Sequence, residues 1–120
     1  MVGMDQCNAS DVLSAMVGMF ATGDPSGAVA VIAVDYLDHQ GLGAGPIQGI
    51  EGFAHVVRTN FDAYERQDIS IEDLFGVDDR AVARIRWRGH RHSGEDVDRE
   101  TIDIVRVVDG RAVEHWGAQV

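Results

Sequence analysis

The sequence predicts a single α+β domain over residues 1–120, in which three helices precede a curved antiparallel sheet. Hydrophobic residues make up 45% of the 120 residues and charged residues 25%, which suits one compact core. Apolar residues recur at helical spacing in the first half, and after Gln67 they alternate as in strands. Helices followed by consecutive strands are typical of a sheet covered on one side, and a curved sheet of this kind leaves a concave interior where ligand pockets form.

A loose lead-in over residues 1–9 is expected to precede the first helix. Ser10 or Asp11 can cap this helix through a side-chain oxygen, and Gly23 marks its end. The apolar residues between these limits recur at roughly helical spacing, so one face should be buried. That face consists of Val12, Leu13, Met16, Val17, Met19 and Phe20.

A second, short helix is predicted to begin near Pro25, followed by a strand over residues 34–39. Residues 40–49 contain four glycines and one proline, so they should form a loop that can border a pocket. The third helix is predicted over residues 50–65. Its buried face consists of Phe53, Val56, Val57, Phe61 and Tyr64.

Four strands are predicted from the alternating pattern, over residues 69–77, 81–91, 100–108 and 112–119. In the second of them, three apolar residues alternate with three arginines, and the sequence leaves open which set faces the interior. An inward arginine set would favour an anionic ligand, whereas an inward apolar set would favour an apolar or aromatic one. The two sets are Ala83, Ile85 and Trp87, and Arg84, Arg86 and Arg88.

The charge balance argues against several classes of partner. Twenty acidic residues against ten basic ones give a formal net charge of -10, and every basic residue is arginine. Such a chain repels phosphate groups, so neither nucleic acid nor an anionic membrane is expected as a partner. The lone Cys7 cannot form an internal disulfide, and no secretory leader or membrane-spanning run is recognisable. We therefore expect a cytoplasmic protein.

No pattern for a metal or a cofactor is recognisable in the sequence. His90 and His92 are the closest pair among the five histidines, and the sequence supplies no third ligand for a zinc site. Glycine-rich phosphate loops and the nucleophile elbow of serine hydrolases are missing as well. We therefore expect neither metal nor cofactor.

Three polar residues in apolar strands are candidates for chemistry. Asp103 interrupts a strongly apolar strand, Asp38 ends the short strand, and His115 lies in the last strand. A carboxylate in such a position is costly unless it is paired, exposed or held neutral. On spacing alone, Asp103 also fits a solvated residue paired with arginine, Asp38 a turn residue, and His115 a packed core residue.

One stretch near the C-terminus, IDIVRVVDGRAVEHW over residues 102–116, resembles the signature of the SnoaL-like polyketide cyclases. Three further segments agree with that family in order: YLDH from residue 36, GIEGF from residue 49, and IEDL from residue 71 with ARIRWRGH from residue 83. The resemblance covers roughly residues 11–119. It implies a cone-shaped fold in which a curved antiparallel sheet and three N-terminal helices enclose a pocket. The superfamily also contains ketosteroid isomerases, epoxide-opening enzymes, dehydratases and binding-only members, so the fold narrows the function without settling it.

The resemblance also implies roles for individual residues. Asp38 stands at the general-base position of the isomerases, and Asp103 at the position of their protonated oxyanion-hole aspartate. His115 would assist as an acid or as a positioning group. Gly117 replaces the acid of the anthracycline-type cyclases, and Met16 replaces the oxyanion-hole tyrosine of the isomerases. The implied substrate-binding residues are Met16, Phe20, Phe53, Phe61, Trp87 and Gly117, and the implied pocket face of the last strand is Val113, His115, Gly117 and Gln119.

These residues favour a cofactor-independent acid–base enzyme of the cyclase, isomerase or dehydratase type, in secondary metabolism. Its substrate would be a small hydrophobic, carbonyl-bearing, polyketide-like molecule. Two alternatives stay open: an epoxide-opening cyclase or hydrolase with paired carboxylates such as Asp38 and Glu65, and a non-catalytic small-molecule-binding module. A homodimer is expected, because the outer sheet face would carry Trp116 and other apolar residues beside arginines.

Overall fold

The computed structural model describes residues 8–39 and 47–120 as an α+β domain, which confirms the predicted fold class. Three helices cover one side of a six-stranded, curved and unclosed sheet. None of the helices in this described part of the chain is both long and apolar enough to cross a membrane. The elements are α1 (Ala9–Thr22), α2 (Ala28–Val31), β1 (Ile32–Asp38), β2 (Ile47–Gln48), α3 (Gly49–Asp62), β3 (Tyr64–Val77), β4 (Arg80–Arg91), β5 (Asp96–Val108) and β6 (Arg111–Gln119).

Short-range side-chain and backbone signals set both ends of α1. Asn8 is its N-cap, because the Asn8 side-chain oxygen accepts a hydrogen bond from the Asp11 backbone N–H at 2.9 Å. The prediction that Ser10 or Asp11 caps this helix was therefore wrong, and Ala9 already belongs to the helix. Gly23 ends the helix as predicted, in the left-handed conformation with φ 74°.

Strand pairing moves two element boundaries away from their predicted places. α3 ends at Asp62, and Tyr64 opens β3 instead of continuing the helix. β3 stays paired with β4 from Tyr64 to Val77, and these ladder hydrogen bonds outweigh the helical spacing of the sequence. The connection between the strands predicted over residues 81–91 and 100–108 is shorter for the same reason, since Asp96 already pairs with His90.

The glycine-rich segment before α3 contains a short strand. Ile47 and Gln48 pair with Asp38 and Leu37 at the edge of the sheet. The rest of the predicted loop, residues 40–46, and the first seven residues of the predicted lead-in lie outside the described residues.

The order of strands in the sheet is β2-β1-β6-β5-β4-β3. All neighbouring pairs are antiparallel except β1 and β6, which run parallel. This parallel pair places Asp38, from the first third of the chain, directly opposite His115, near its C-terminus.

The inner face of the sheet carries apolar residues that pack under α1 and α3. On β4, Ala83 and Ile85 are buried and Trp87 is partly buried, so the apolar set faces inward. The arginine set faces outward, where Arg84 and Arg86 form ion pairs with acidic residues. The interior therefore suits an apolar or aromatic ligand.

A bulge in β6 changes which of its residues face the interior. The register with β5 shifts between Arg106 and Val107, so Val107 lies opposite Ala112. Ala112 is buried, whereas Val113 is only partly buried. The inward placement of Val113 was therefore wrong, because strict alternation does not continue across a bulge. Gln119 lies directly opposite the buried Thr101, so it has the predicted facing although it is exposed at the end of the strand.

Candidate functional site

A cavity of about 90 Å³ lies between the inner sheet face and helices α1 and α3. This is small beside the roughly 300 Å³ of a compact ligand pocket, so a substrate larger than a few atoms must displace wall side chains. Met16, an adaptable thioether chain, is part of the wall and can make such a movement. The polar groups of the wall belong to Tyr36, Asp38, Asn60, Arg99, Thr101 and His115.

Aromatic rings form a continuous part of the cavity wall. Phe53 makes edge-to-face contacts with Phe20 and Tyr36, at centroid distances of 5.8 Å and 5.9 Å. Phe20 makes a third such contact with Trp87, at 5.9 Å. Rings in this geometry present both faces and edges, which suits planar or ring-containing ligands.

The three candidate catalytic residues converge on one point. The His115 Nδ1 atom lies 2.8 Å from the Asp38 carboxylate, and its Nε2 atom lies 2.8 Å from the Asp103 carboxylate. The three side chains are only 10%, 13% and 9% exposed in that order. A histidine ring thus bridges two nearly buried carboxylates, and both of its nitrogens are hydrogen bonded.

Strand register explains how these residues meet. Asp38 is directly opposite His115 across the parallel pair. Asp103 is directly opposite Gly117 on β6, so it reaches His115 diagonally along the same sheet face. A residue with a side chain at position 117 would stand beside this diagonal contact.

Two neighbouring hydroxyl groups extend the hydrogen-bonded chain at both ends. The Thr101 hydroxyl donates to Asp103 at 2.7 Å and accepts a hydrogen bond from the Trp87 indole N–H at 2.8 Å. At the other end, the Tyr36 hydroxyl donates to Asp38 at 3.4 Å. One continuous network therefore runs from the aromatic wall through His115 to the cavity.

This network favours the charged form of His115. Burial by itself lowers the pKa of His115, but the hydrogen bonds and charges of Asp103 and Asp38 outweigh it and raise this pKa to about 9. Burial and the neighbouring Asp38 carboxylate raise the pKa of Tyr36, so its hydroxyl stays protonated and can donate. At neutral pH the site therefore holds an imidazolium rather than a neutral histidine.

Most predicted site residues lie at this cavity, but Asp103, Phe61 and Gly117 do not line it. Asp103 lies behind His115 and acts through it. Phe61 is 39% exposed, and its ring lies against Gly23, where an added Cβ would approach a ring carbon to 2.4 Å. The placement of Phe61 in the pocket was therefore wrong, because α3 turns this residue toward the end of α1.

Glu65, the carboxylate suggested as a partner for Asp38, does not line the cavity either. It lies on the edge strand β3, its side chain is 55% exposed, and it forms an ion pair with Arg66. The carboxylate that shares the site with Asp38 is Asp103.

Sequence reasoning missed four polar residues of the site. Tyr36 precedes Asp38 by two positions on β1, and Arg99 and Thr101 precede Asp103 by four and two positions on β5, so alternation from the candidate aspartates would have found them. Asn60 carries no such signal. Its amide donates to Gln67, which in turn donates to the Phe20 carbonyl, and this pairing depends on the tertiary fold.

Within residues 8–39 and 47–120, no group of three or more histidine, cysteine, aspartate or glutamate side chains has the arrangement needed to hold a metal ion. The hydrogen bonds of His115 instead use both of its possible ligand atoms.

A family model described as SnoaL-like polyketide cyclase matches residues 10–119. The chain belongs to this family. The match includes the strands that carry Asp38, Asp103 and His115, and it confirms the resemblance found in the sequence. No curated protein sequence matches the chain significantly.

Solved structures agree with this family assignment. A Bacillus cereus protein proposed to be a polyketide cyclase is 26% identical, with a TM-score of 0.79 over 91% of this chain and 72% of that one. A loop-truncation variant of IdmH is also 26% identical, with a TM-score of 0.78 over 93% and 92% of the two chains. Wild-type IdmH from Streptomyces antibioticus has 24% identity and a TM-score of 0.79 over 94% and 92%, which shows the shared fold. Family and neighbours together support a cyclase-type function.

Proposed function

We propose that this protein is a cofactor-independent acid–base enzyme that closes a ring in a small hydrophobic, carbonyl-bearing substrate. The observation that carries the proposal is the Asp38–His115–Asp103 network at the end of an aromatic-walled cavity. Polar groups converging in an otherwise apolar pocket are the usual form of a small-molecule active site.

Asp38 is the general base of this mechanism. Of the two carboxylates, it is the one that lines the cavity, whereas Asp103 is shielded by His115. Asp38 removes a proton from a carbon next to a substrate carbonyl, and the electron pair moves onto the carbonyl oxygen to give an enolate. The enolate carbon then attacks a second carbonyl of the same molecule. The new C–C bond closes the ring, and the resulting alkoxide recovers the proton from Asp38.

Tyr36 provides a hydrogen-bond donor to the site, and His115 provides a positive charge. The Tyr36 hydroxyl lines the cavity and stays protonated, so once Asp38 has taken the substrate proton it can turn its one hydrogen from Asp38 to the enolate or alkoxide oxygen. His115 has both nitrogens occupied by carboxylates, so it positions Asp38 and keeps one positive charge beside two negative ones. That arrangement orients Asp38 without direct proton transfer from His115 to the substrate.

The epoxide-opening alternative receives less support, because its suggested second carboxylate, Glu65, is exposed and paired with Arg66. The binding-module alternative is favoured by one observation, the cavity volume of about 90 Å³. A domain of the same fold that binds ligand without chemistry would have the same wall, so the test must separate binding from proton removal.

The test measures exchange of the acetyl hydrogens of 2-acetylnaphthalene with D2O by NMR. We expect the wild type to accelerate exchange, and Asp38→Asn to reduce the acceleration by on the order of 100-fold, the scale for losing a general base. Asp35→Asn, on the same strand but exposed, is the matched control and should exchange at the wild-type rate. Binding of the ketone without any accelerated exchange would support the binding module instead, and equal rates in Asp38→Asn and wild type would exclude Asp38 as the base.

A further inference from the structure

The residue that this mechanism leaves unexplained is Arg99. It lies on β5 directly opposite Trp87, on the same inner face as Thr101 and Asp103, and it lines the cavity. Its guanidinium carbon lies 5.7 Å from the centroid of the Trp87 ring. Arg99 is partly buried, and a polar donor held against an apolar wall is unfavourable unless it finds a hydrogen-bond partner.

The hydrogen bonding of Arg99 is incomplete within the described structure. Its Nε atom is buried and has no hydrogen-bond partner. On the outer sheet face, by contrast, the Nε atoms of Arg84, Arg86 and Arg106 each donate to a carboxylate, at 2.7, 3.0 and 2.8 Å. Arg91, whose Nε also lacks a hydrogen bond, still has Glu95 within 3.2 Å.

The charge of the chain makes the position of Arg99 informative. Twenty acidic residues compete for ten arginines, and seven of these arginines form an ion pair within the described residues. Of the other three, Arg58 is exposed to water and Arg111 donates to the Val29 carbonyl, whereas Arg99 faces aromatic rings and the cavity. The missing partner is therefore expected to arrive with the ligand, and a guanidinium is well shaped to bind a carboxylate through two parallel hydrogen bonds.

The position of Arg99 also sets the shape of that ligand. Arg99 and Asp103 are four residues apart on one strand, so their Cα atoms are separated by roughly 13 Å. Phe20, Phe53 and Trp87 line the cavity together with these elements and provide apolar contacts for the body of the ligand. The ligand that we expect has an apolar ring body, a reacting carbonyl beside Asp38 and an acidic group beside Arg99.

We propose that Arg99 binds a carboxylate of the substrate, and that the substrate class is therefore a hydrophobic keto acid rather than a neutral ketone. This inference rests on the proposed function for the position of the reacting carbonyl, but the carboxylate site itself depends only on Arg99. Arg99 is the specificity-determining residue of the cavity, and Asp38 performs the chemistry at the opposite end.

The test compares binding of 2-naphthoate and of neutral 2-naphthamide, which have the same rings, by isothermal titration calorimetry. We expect the wild type to prefer the acid by at least about tenfold, as charge-assisted hydrogen bonds exceed neutral ones. Arg99→Met retains the apolar length of the side chain and should remove this preference. Arg58→Met, an exposed arginine on α3 outside the cavity, makes the same change in net charge and should retain it.

Folding of each variant is checked by circular dichroism, and Arg99→Lys provides a second variant that keeps the charge. Lysine should retain part of the preference for the acid, because the positive charge remains while the bidentate hydrogen bonding of a guanidinium is lost. The proposal is overturned if the wild type binds the amide as tightly as the acid, if it binds neither probe at millimolar concentration, or if Arg99→Met retains the preference. If the wild type prefers the acid over the amide but does not accelerate hydrogen exchange of the ketone through Asp38, the proposed reaction is contradicted and the Arg99 carboxylate site is not.

Discussion

At the scale of single residues, the central feature is a histidine charged by two carboxylates. The sequence indicated Asp38, Asp103 and His115 as candidates, but each had an equally simple structural explanation when considered alone. The bridging arrangement depends on the parallel β1–β6 pair and on a diagonal contact across β5 and β6, neither of which spacing along the chain can specify. Asp103, expected from the resemblance to face the substrate, lies behind His115 for the same reason.

This arrangement predicts how stability depends on pH. The pKa of His115 is raised from 6.5 to about 9, so its stabilising effect is complete below about pH 6.5 and is lost as pH rises through 9. Its full size is roughly 3 kcal/mol in the free energy of unfolding. Urea denaturation between pH 6 and pH 10 should show this loss in the wild type and not in His115→Gln. His55→Gln, an exposed histidine on α3, should behave as the wild type, and a wild-type stability that is flat across this range would contradict the prediction.

At the scale of elements, the sequence predicted the helices and strands well where local signals act alone. Gly23 ends α1 as expected, whereas the start of β3 at Tyr64 and of β5 at Asp96 follow from ladders with β4 that no local pattern reveals. The bulge in β6 is the feature that the sequence pattern could least predict. It reverses the facing of Val113, and no glycine or proline in the strand before it indicates a bulge.

Gly18 within α1 and Gly23 directly after it should respond to alanine substitution in opposite directions. Gly23→Ala should lower the free energy of unfolding by at least about 1 kcal/mol, because alanine is strained at φ 74° and its Cβ would meet the Phe61 ring. Gly18→Ala should raise it by roughly 0.5–1 kcal/mol, since the position is helical and nothing lies within 4 Å of the added Cβ. Thermal denaturation of both variants checks this, and equal effects of the two substitutions would show that Gly23 does not cap the helix as described.

At the scale of the whole molecule, the outer sheet face is the surface that we propose joins two copies of this chain. Four apolar residues on neighbouring strands lie in one register row across it: Phe75, Val82, Ile104 and Trp116. Phe75 is 55% exposed, and arginines paired with acids flank the row. An apolar row with a charged border is typical of surfaces that associate.

Light scattering tests this proposal. The wild type should have twice the 13.0 kDa mass of one chain, and Ile104→Glu should have the mass of one chain while remaining folded. Val29→Glu, an equally drastic change at an exposed valine on α2, should leave the mass unchanged. A wild type that is monomeric at micromolar concentration would contradict the proposal.

The most direct test of the proposed acid–base centre is the protonation state of the His115 ring, because the orientation of Asp38 depends on it. A ¹⁵N NMR titration of the histidine rings, with His115→Gln to assign the signal, follows both ring nitrogens without any substrate. We expect an imidazolium protonated on both nitrogens at neutral pH, with a pKa of about 9 that falls when Asp38→Asn or Asp103→Asn removes one of the two carboxylates. A His115 ring with a pKa near the ordinary 6.5, or a ring pKa that responds to neither substitution, would contradict the bridging arrangement.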